Sequence, residues 1–100
     1  MWPKLAIYAG SKGAVDIITG VLANELGPRK IRVNCINPGL VETEGSEAGL
    51  SSGFQEQIIA QTPLGRAGRT DDIAALAVFL ASDDARWLTG EKLLATGGLR

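Results

Sequence analysis

Ile31-Arg-Val-Asn-Cys-Ile36, running into Asn37-Pro38-Gly39, is the stretch on which the fold turns. Apolar and polar residues alternate through it, Ile31, Val33 and Ile36 are β-branched, and a Pro-Gly pair halts it. That pattern predicts a short β-strand over Ile31–Ile36 followed by a turn. Upstream, from Ala9 to Leu26, the residues Ala14, Val15, Ile17, Ile18, Val21, Leu22 and Leu26 recur at three- and four-residue intervals, the period of one helix face. Gly27-Pro28 then stops the helix. Downstream, residues 39 to 53 carry Gly39, Gly45, Gly49 and Gly53 together with Glu42, Glu44 and Glu47, which reads as a mobile loop. A short helix is expected over Phe54–Ala60, then an irregular connection through Thr62-Pro63-Leu64-Gly65-Arg66-Ala67-Gly68. Thr70 is read as the N-cap of a further helix with Asp71 and Asp72 in its first turn, carrying Ile73, Leu76, Ala77, Phe79 and Leu80 and ending near Ser82. Gly90 to Gly98 reads as a second short strand entering a glycine turn.

The order is therefore helix, strand, helix, helix, strand. Strands separated by crossovers of this length pair in parallel, so the fold class is α/β. Parallel sheets are normally covered on both faces and contain several strands, whereas only two are legible here. The sequence reads as part of a domain.

Composition narrows the chemistry. The 100 residues hold 10 Lys and Arg against 11 Asp and Glu, a net charge of −1, and no histidine. The last absence removes Ser-His-Asp and Cys-His machinery and the His-containing zinc motifs, leaving Tyr, Lys or carboxylates for any acid–base work. Cys35 is the sole cysteine, so no intramolecular disulfide or thiolate cluster can form, no metal site is expected, and a reducing, cytoplasmic setting fits. No stretch has signal-peptide character or approaches the roughly 20 apolar residues that span a bilayer, so no membrane role is expected. Arg29, Lys30 and Arg32 form the largest basic group, which reads as a solvated turn, so nucleic acid is not expected as a partner.

Tyr8 is the only tyrosine, and Lys12 follows four residues later. On a helix these side chains share one face, one turn apart. An ammonium at that distance favours the phenolate and draws the phenol down from its ordinary value of about 10 toward working pH, which suits a general acid or base. On spacing alone, a tyrosine near a helix start is more often simply packing.

The neighbouring residues add to that reading. Tyr8-Ala-Gly-Ser-Lys12, with Gly13 and Ala14, resembles the Tyr-x-x-x-Lys helix of the short-chain dehydrogenase/reductase family. Arg32-Val-Asn-Cys-Ile-Asn-Pro38-Gly39 is similar to that family's nicotinamide-contacting strand and turn, with Thr43 at the matching threonine position. Pro63-Leu-Gly-Arg66, Asp71-Asp72-Ile73-Ala74 and Phe79-Leu-Ala-Ser82 resemble its penultimate connection and helix, and Thr89-Gly90 with Ala95-Thr-Gly-Gly98 its last strand and glycine turn. The pattern is loosely like the 3-oxoacyl-carrier-protein reductase and glucose dehydrogenase branch.

This resemblance implies the C-terminal part of a Rossmann-like doubly wound parallel sheet over residues 1–100, lacking the N-terminal dinucleotide-binding half. The family's Gly-x-x-x-Gly-x-Gly loop, its Asn-Asn-Ala-Gly segment and its catalytic serine have no counterpart in these residues. Ser11, inside the motif, reads as a small helix residue rather than a substitute for that serine. In the intact family, Tyr8 would exchange a proton with the oxygen of an alcohol or ketone substrate. Lys12 would bind the nicotinamide ribose of NAD or NADP, while Pro38, Gly39, Leu40, Val41 and Thr43 would contact the carboxamide. Asn34 is read as structural, and Cys35 as a buried, apolar-like and unreactive residue. The resemblance also implies a homo-oligomer, or a chain that needs its missing N-terminal half, and one not competent by itself. The rival reading is a non-catalytic truncated module that serves only oligomerisation or interaction, with Pro38-Gly39 an ordinary turn.

Overall fold

A computed structural model describes residues 6–42 and 52–99. Its elements are α1 (Ala6–Leu26), β1 (Cys35–Pro38), β2 (Val41–Glu42), α2 (Ser52–Ala60), β3 (Gly68–Arg69), α3 (Thr70–Ala81) and β4 (Lys92–Ala95), with single 3-10 turns at Gly27–Arg29 and Asp83–Ala85. β1 pairs with β4 in parallel, from Cys35 opposite Lys92 to Pro38 opposite Ala95. This is the parallel arrangement that the helical crossovers predict.

α1 starts earlier than the apolar period indicates and takes Tyr8 into its first turns. Its end is made by more than Gly27-Pro28. The Gly27–Arg29 turn follows, and Lys30 adopts a left-handed φ of 64°, with its N–H donating to Gly27 O at 2.8 Å. The Ile31 N–H then reaches back to Leu26 O at 3.2 Å, satisfying helix-terminal carbonyls while the chain reverses.

The first strand is displaced from its expected place, occupying Cys35–Pro38 instead of Ile31–Ile36. Residues 31–34 lie outside any strand, and side chains take up part of their bonding. The Val33 N–H donates to Thr89 Oγ1 at 3.0 Å, and Val33 O accepts from the Gly90 N–H at 2.7 Å. Asn34 spans the same gap, its Nδ2 donating to Leu88 O and its Oδ1 accepting from the Glu91 N–H, both at 3.0 Å. The structural role expected of Asn34 is thereby given a form: it clasps the entrances of the two strands. Pro38 ends β1, where its missing N–H interrupts no later rung.

β2 and β3 form a second parallel pair, Val41 with Gly68 and Glu42 with Arg69, within segments read from sequence as loop and irregular connection. Two residues are too few to show a period. α3 starts at Thr70 with Arg69 as its N-cap, so Thr70 is the first helical residue and not the cap. Asp72 accepts the Arg69 N–H at 2.8 Å, holding one of the helix's unpaired donors. Of the expected 39–53 loop, residues 43–51, and Thr43 with them, lie outside the described residues.

The layering follows from strand alternation. Cys35 and Asn37 reach toward α1, whereas Arg32, Asn34 and Ile36 line a groove with Ala77, Leu80 and Ala81 of α3. One helix thus lies on each face of the sheet. The interior between these layers is thin. Among the described residues the buried side chains are small: Ala23, Ala67, Ala85, Thr19 and Thr62. Ile17 and Ile18 on α1 and Val78 on α3 remain exposed, and Trp87 is 95% exposed. Apolar surface of this extent marks faces that pack against something further. No helix of the described residues is long and apolar enough to cross a membrane.

Candidate functional site

Lys12 lies in α1, one turn beyond Tyr8, and lines a cavity of about 350 Å³ with Asn37, Pro38 and Gly39. Two segments singled out separately in the sequence, the Tyr-x-x-x-Lys helix and the Pro-Gly turn, therefore meet at one opening. Tyr8 belongs to the same helix, four residues before Lys12.

The turn is held from the side of β4. The Gly39 N–H donates to Ala95 O at 2.9 Å, extending the ladder by one bond beyond β1. Leu40 O accepts from the Gly68 N–H at 2.8 Å, and Val41 enters β2. This carries the chain from the Lys12 cavity to a neighbouring one of about 200 Å³, lined by Leu40, Leu64, Arg66, Asp72, Ile73 and Thr96 among others.

Arg66 and Asp72 form a two-pronged ion pair at the edge of that second cavity, Nη1 to Oδ2 at 2.7 Å and Nη2 to Oδ1 at 3.3 Å. The hydrogen bond from Arg66, followed by that from the Arg69 N–H, holds the Asp72 carboxyl down at about 2. The Arg66 guanidinium is pushed up by the same hydrogen bond and by the charge of Asp72. The pair joins the 62–68 connection to the first turn of α3.

Sequence reasoning missed Asp16. It stands on α1 one turn after Lys12, and its Oδ1 accepts from Asn37 Nδ2 at 3.3 Å and from the Cys35 thiol at 3.6 Å. The run Tyr8, Lys12, Asp16 at intervals of four was the available signal. Cys35 is thus half-buried and a partner of the helix carboxylate, not the buried apolar-like residue expected, because its place on β1 turns the thiol toward Asp16.

Comparison with known proteins gives the chain a family. A family model described as enoyl-(acyl carrier protein) reductase matches residues 1–100. The structure of a short-chain type dehydrogenase/reductase from Mycobacterium ulcerans superposes with a TM-score of 0.85 at 39% identity, covering 91% of this chain and 34% of that one. The chain belongs to the short-chain dehydrogenase/reductase family. That family consists of oxidoreductases acting on small molecules, and the fold is the C-terminal part of its Rossmann-like sheet. An oxidoreductase of Methylorubrum extorquens is 58% identical over 102 residues, covering 100% of this chain and 41% of the relative. NADPH-dependent aldehyde reductase 2, a chloroplastic protein of Arabidopsis thaliana, is 44% identical, with 91% of this chain and 34% of the relative covered. A 4-hydroxyisoleucine dehydrogenase mutant complexed with NADH and succinate has a TM-score of 0.85 at 35% identity, over 93% of this chain and 39% of that one. The chain thus spans about two-fifths or less of the length of the relatives it matches.

Proposed function

We propose that this chain supplies the proton-transfer and nicotinamide-contacting part of an NAD(P)-dependent oxidoreductase that interconverts a small-molecule alcohol and ketone. The observation that carries the reading is the meeting of Lys12 with Asn37, Pro38 and Gly39 at one cavity, with Tyr8 one helical turn before Lys12.

These residues fit the nicotinamide end of a dinucleotide. Lys12 brings a cation with three donors to the cavity, and the Pro38–Gly39 turn lines it with a glycine that leaves the backbone approachable. When bound, the nicotinamide takes or gives the hydride. Tyr8 would move the proton at the substrate oxygen, and Lys12 would hold the ribose hydroxyls. Pro38, Gly39 and Val41 would contact the carboxamide, as would Thr43, which lies outside the described residues.

These 100 residues alone do not complete the reaction. They contain no Gly-x-x-x-Gly-x-Gly loop to hold a pyrophosphate at a helix N-terminus. Among the described residues β1 pairs only with β4, leaving one strand edge open. The exposed apolar faces of α1 and α3 call for cover by a complementary N-terminal half, by a second copy, or by both. With a single cysteine these residues form no internal disulfide, which suits a reducing compartment such as the cytoplasm.

The test joins this chain to a complementary upstream segment carrying the glycine-rich loop and measures NADH and NADPH oxidation against a panel of ketones. The joined protein is expected to turn over, the 100 residues alone to be inactive, and Lys12→Ala in the joined protein to weaken both turnover and cofactor binding. Enzyme-like activity from the 100 residues alone, or full activity in Lys12→Ala, would refute the reading.

A further inference from the structure

α1 carries Tyr8, Lys12 and Asp16 at intervals of four residues, each about 6 Å along the axis beyond the last. The first two belong to the proposed chemistry. The third carries a carboxylate, and the structure gives it an occupation. Cys35 and Asn37 are alternate residues of β1, so their side chains leave the strand on one face, and both donate to Asp16 Oδ1. Asn37 immediately precedes Pro38 and itself lines the Lys12 cavity.

The turn is thus held from two directions. From β4 it is held by the bond between the Gly39 N–H and Ala95 O. From α1 it is held through Asn37, because Pro38 has no N–H to offer. Apolar contact between a helix and a sheet is non-directional and permits small sliding, whereas hydrogen bonds to a side-chain oxygen are short-range and directional.

We propose that Asp16 is a positioning residue: by holding Asn37 and Cys35 it sets β1 against α1 so that the Pro38–Gly39 turn meets Lys12 across a fixed gap. The inference rests on the reading of Lys12 and the Pro38–Gly39 turn given above. Asp16 touches no reacting atom. It acts through Asn37, and displacing a cofactor-contacting turn by about 1 Å is enough to cost up to about a hundredfold in rate.

Two measurements test it. In the chain itself, NMR of the Asn37 side-chain amide reads the tie directly. Asp16→Ala is expected to shift that resonance, and Asp16→Asn, which keeps an acceptor oxygen, to leave it close to the parent. An unmoved amide in Asp16→Ala overturns the proposal. In the joined protein, Asp16→Ala is expected to lower kcat about tenfold and to raise the cofactor KM severalfold, and Asp16→Asn to recover most of both losses. Asn37→Ala should lower kcat as much, and the double variant no further, because the two residues act as one unit. Losses that multiply, or a kcat in Asp16→Ala within twofold of the parent, overturn the positioning role. Full activity in Lys12→Ala removes the underlying reading and the positioning role with it, while the amide shift still decides whether the tie exists.

Discussion

Gly39 stands so close to Thr96 that a Cβ on it would lie 3.0 Å from Thr96 Cα and 3.2 Å from Thr96 Cβ. The nearest obstacle is backbone, which cannot swing aside as a side-chain end can. Gly39→Ala is therefore expected to force the turn after β1 away from β4 and to destabilise the fold by about 1–3 kcal/mol, the usual range for an extra carbon in a filled space. The same displacement moves the turn relative to Lys12, so in the joined protein cofactor affinity should fall as well. Urea midpoints at unchanged slope, together with a cofactor titration, check both. A stable, tightly binding Gly39→Ala protein would contradict the packing argument.

Gly97 combines a left-handed backbone, φ 66°, with a near neighbour, since an added Cβ would stand 2.8 Å from Thr62 Cγ2. Thr62 is not free to yield, because it is buried and its hydroxyl donates to Ile58 O at 2.7 Å. Gly97→Ala should lose about 1–2 kcal/mol from the backbone conformation alone, and more from the contact. Gly97→Asn tolerates the conformation better but keeps the bulk, so it too should melt lower than the parent. A melting temperature unchanged in both variants would show that the turn relaxes without loss.

The Arg66–Asp72 pair predicts an acid limb in stability. The Asp72 carboxyl is held at about 2, below its ordinary value of 3.8, so the folded state favours the charged form. That contribution is present in full above about pH 4 and disappears as pH falls from about 4 through 2. Both side chains are substantially exposed, so the limb should be shallow and weaken further in high salt. Asp72→Asn should flatten it. Urea midpoints between pH 5 and 2, in low and high salt, give the comparison, and an unaltered limb in Asp72→Asn would assign it to other carboxylates.

Tyr8→Phe removes only the phenol oxygen. In the joined protein turnover should fall by about 10²–10⁴-fold, the usual contribution of a positioned acid–base group, while cofactor affinity stays within severalfold. Lys12→Ala differs in moving both quantities. Parental turnover in Tyr8→Phe would take the proton-transfer role away from this residue.

What the sequence made legible follows physical scale. α1 is long enough for its apolar spacing to declare it, and the parallel order of β1 and β4 follows from the helical crossover between them. β1 was misplaced because its bounds depend on Thr89 and Asn34 satisfying the backbone between residues 33 and 91, a long-range arrangement that alternation within Ile31–Ile36 cannot report. β2 and β3 carry too few residues to show any pattern. At the site, Lys12 and the Pro38–Gly39 turn were legible through their likeness to family motifs. Asp16 was not, because its significance lies in contacts with Cys35 and Asn37, 19 and 21 residues away along the chain.

The parallel pairing of β1 with β4 also has a bearing on biosynthesis. The clasp between Asn34 and Glu91 joins residues 57 positions apart. A ribosome adding about 5–20 residues per second therefore releases the first strand roughly 3–11 s before its partner. Throughout that interval β1 has no β4 to pair with, although α1, whose bonds are local, forms within microseconds. Asp16 is already present on that helix when Cys35 and Asn37 emerge, so the nascent strand meets a helix-borne acceptor before it meets its neighbour in the sheet.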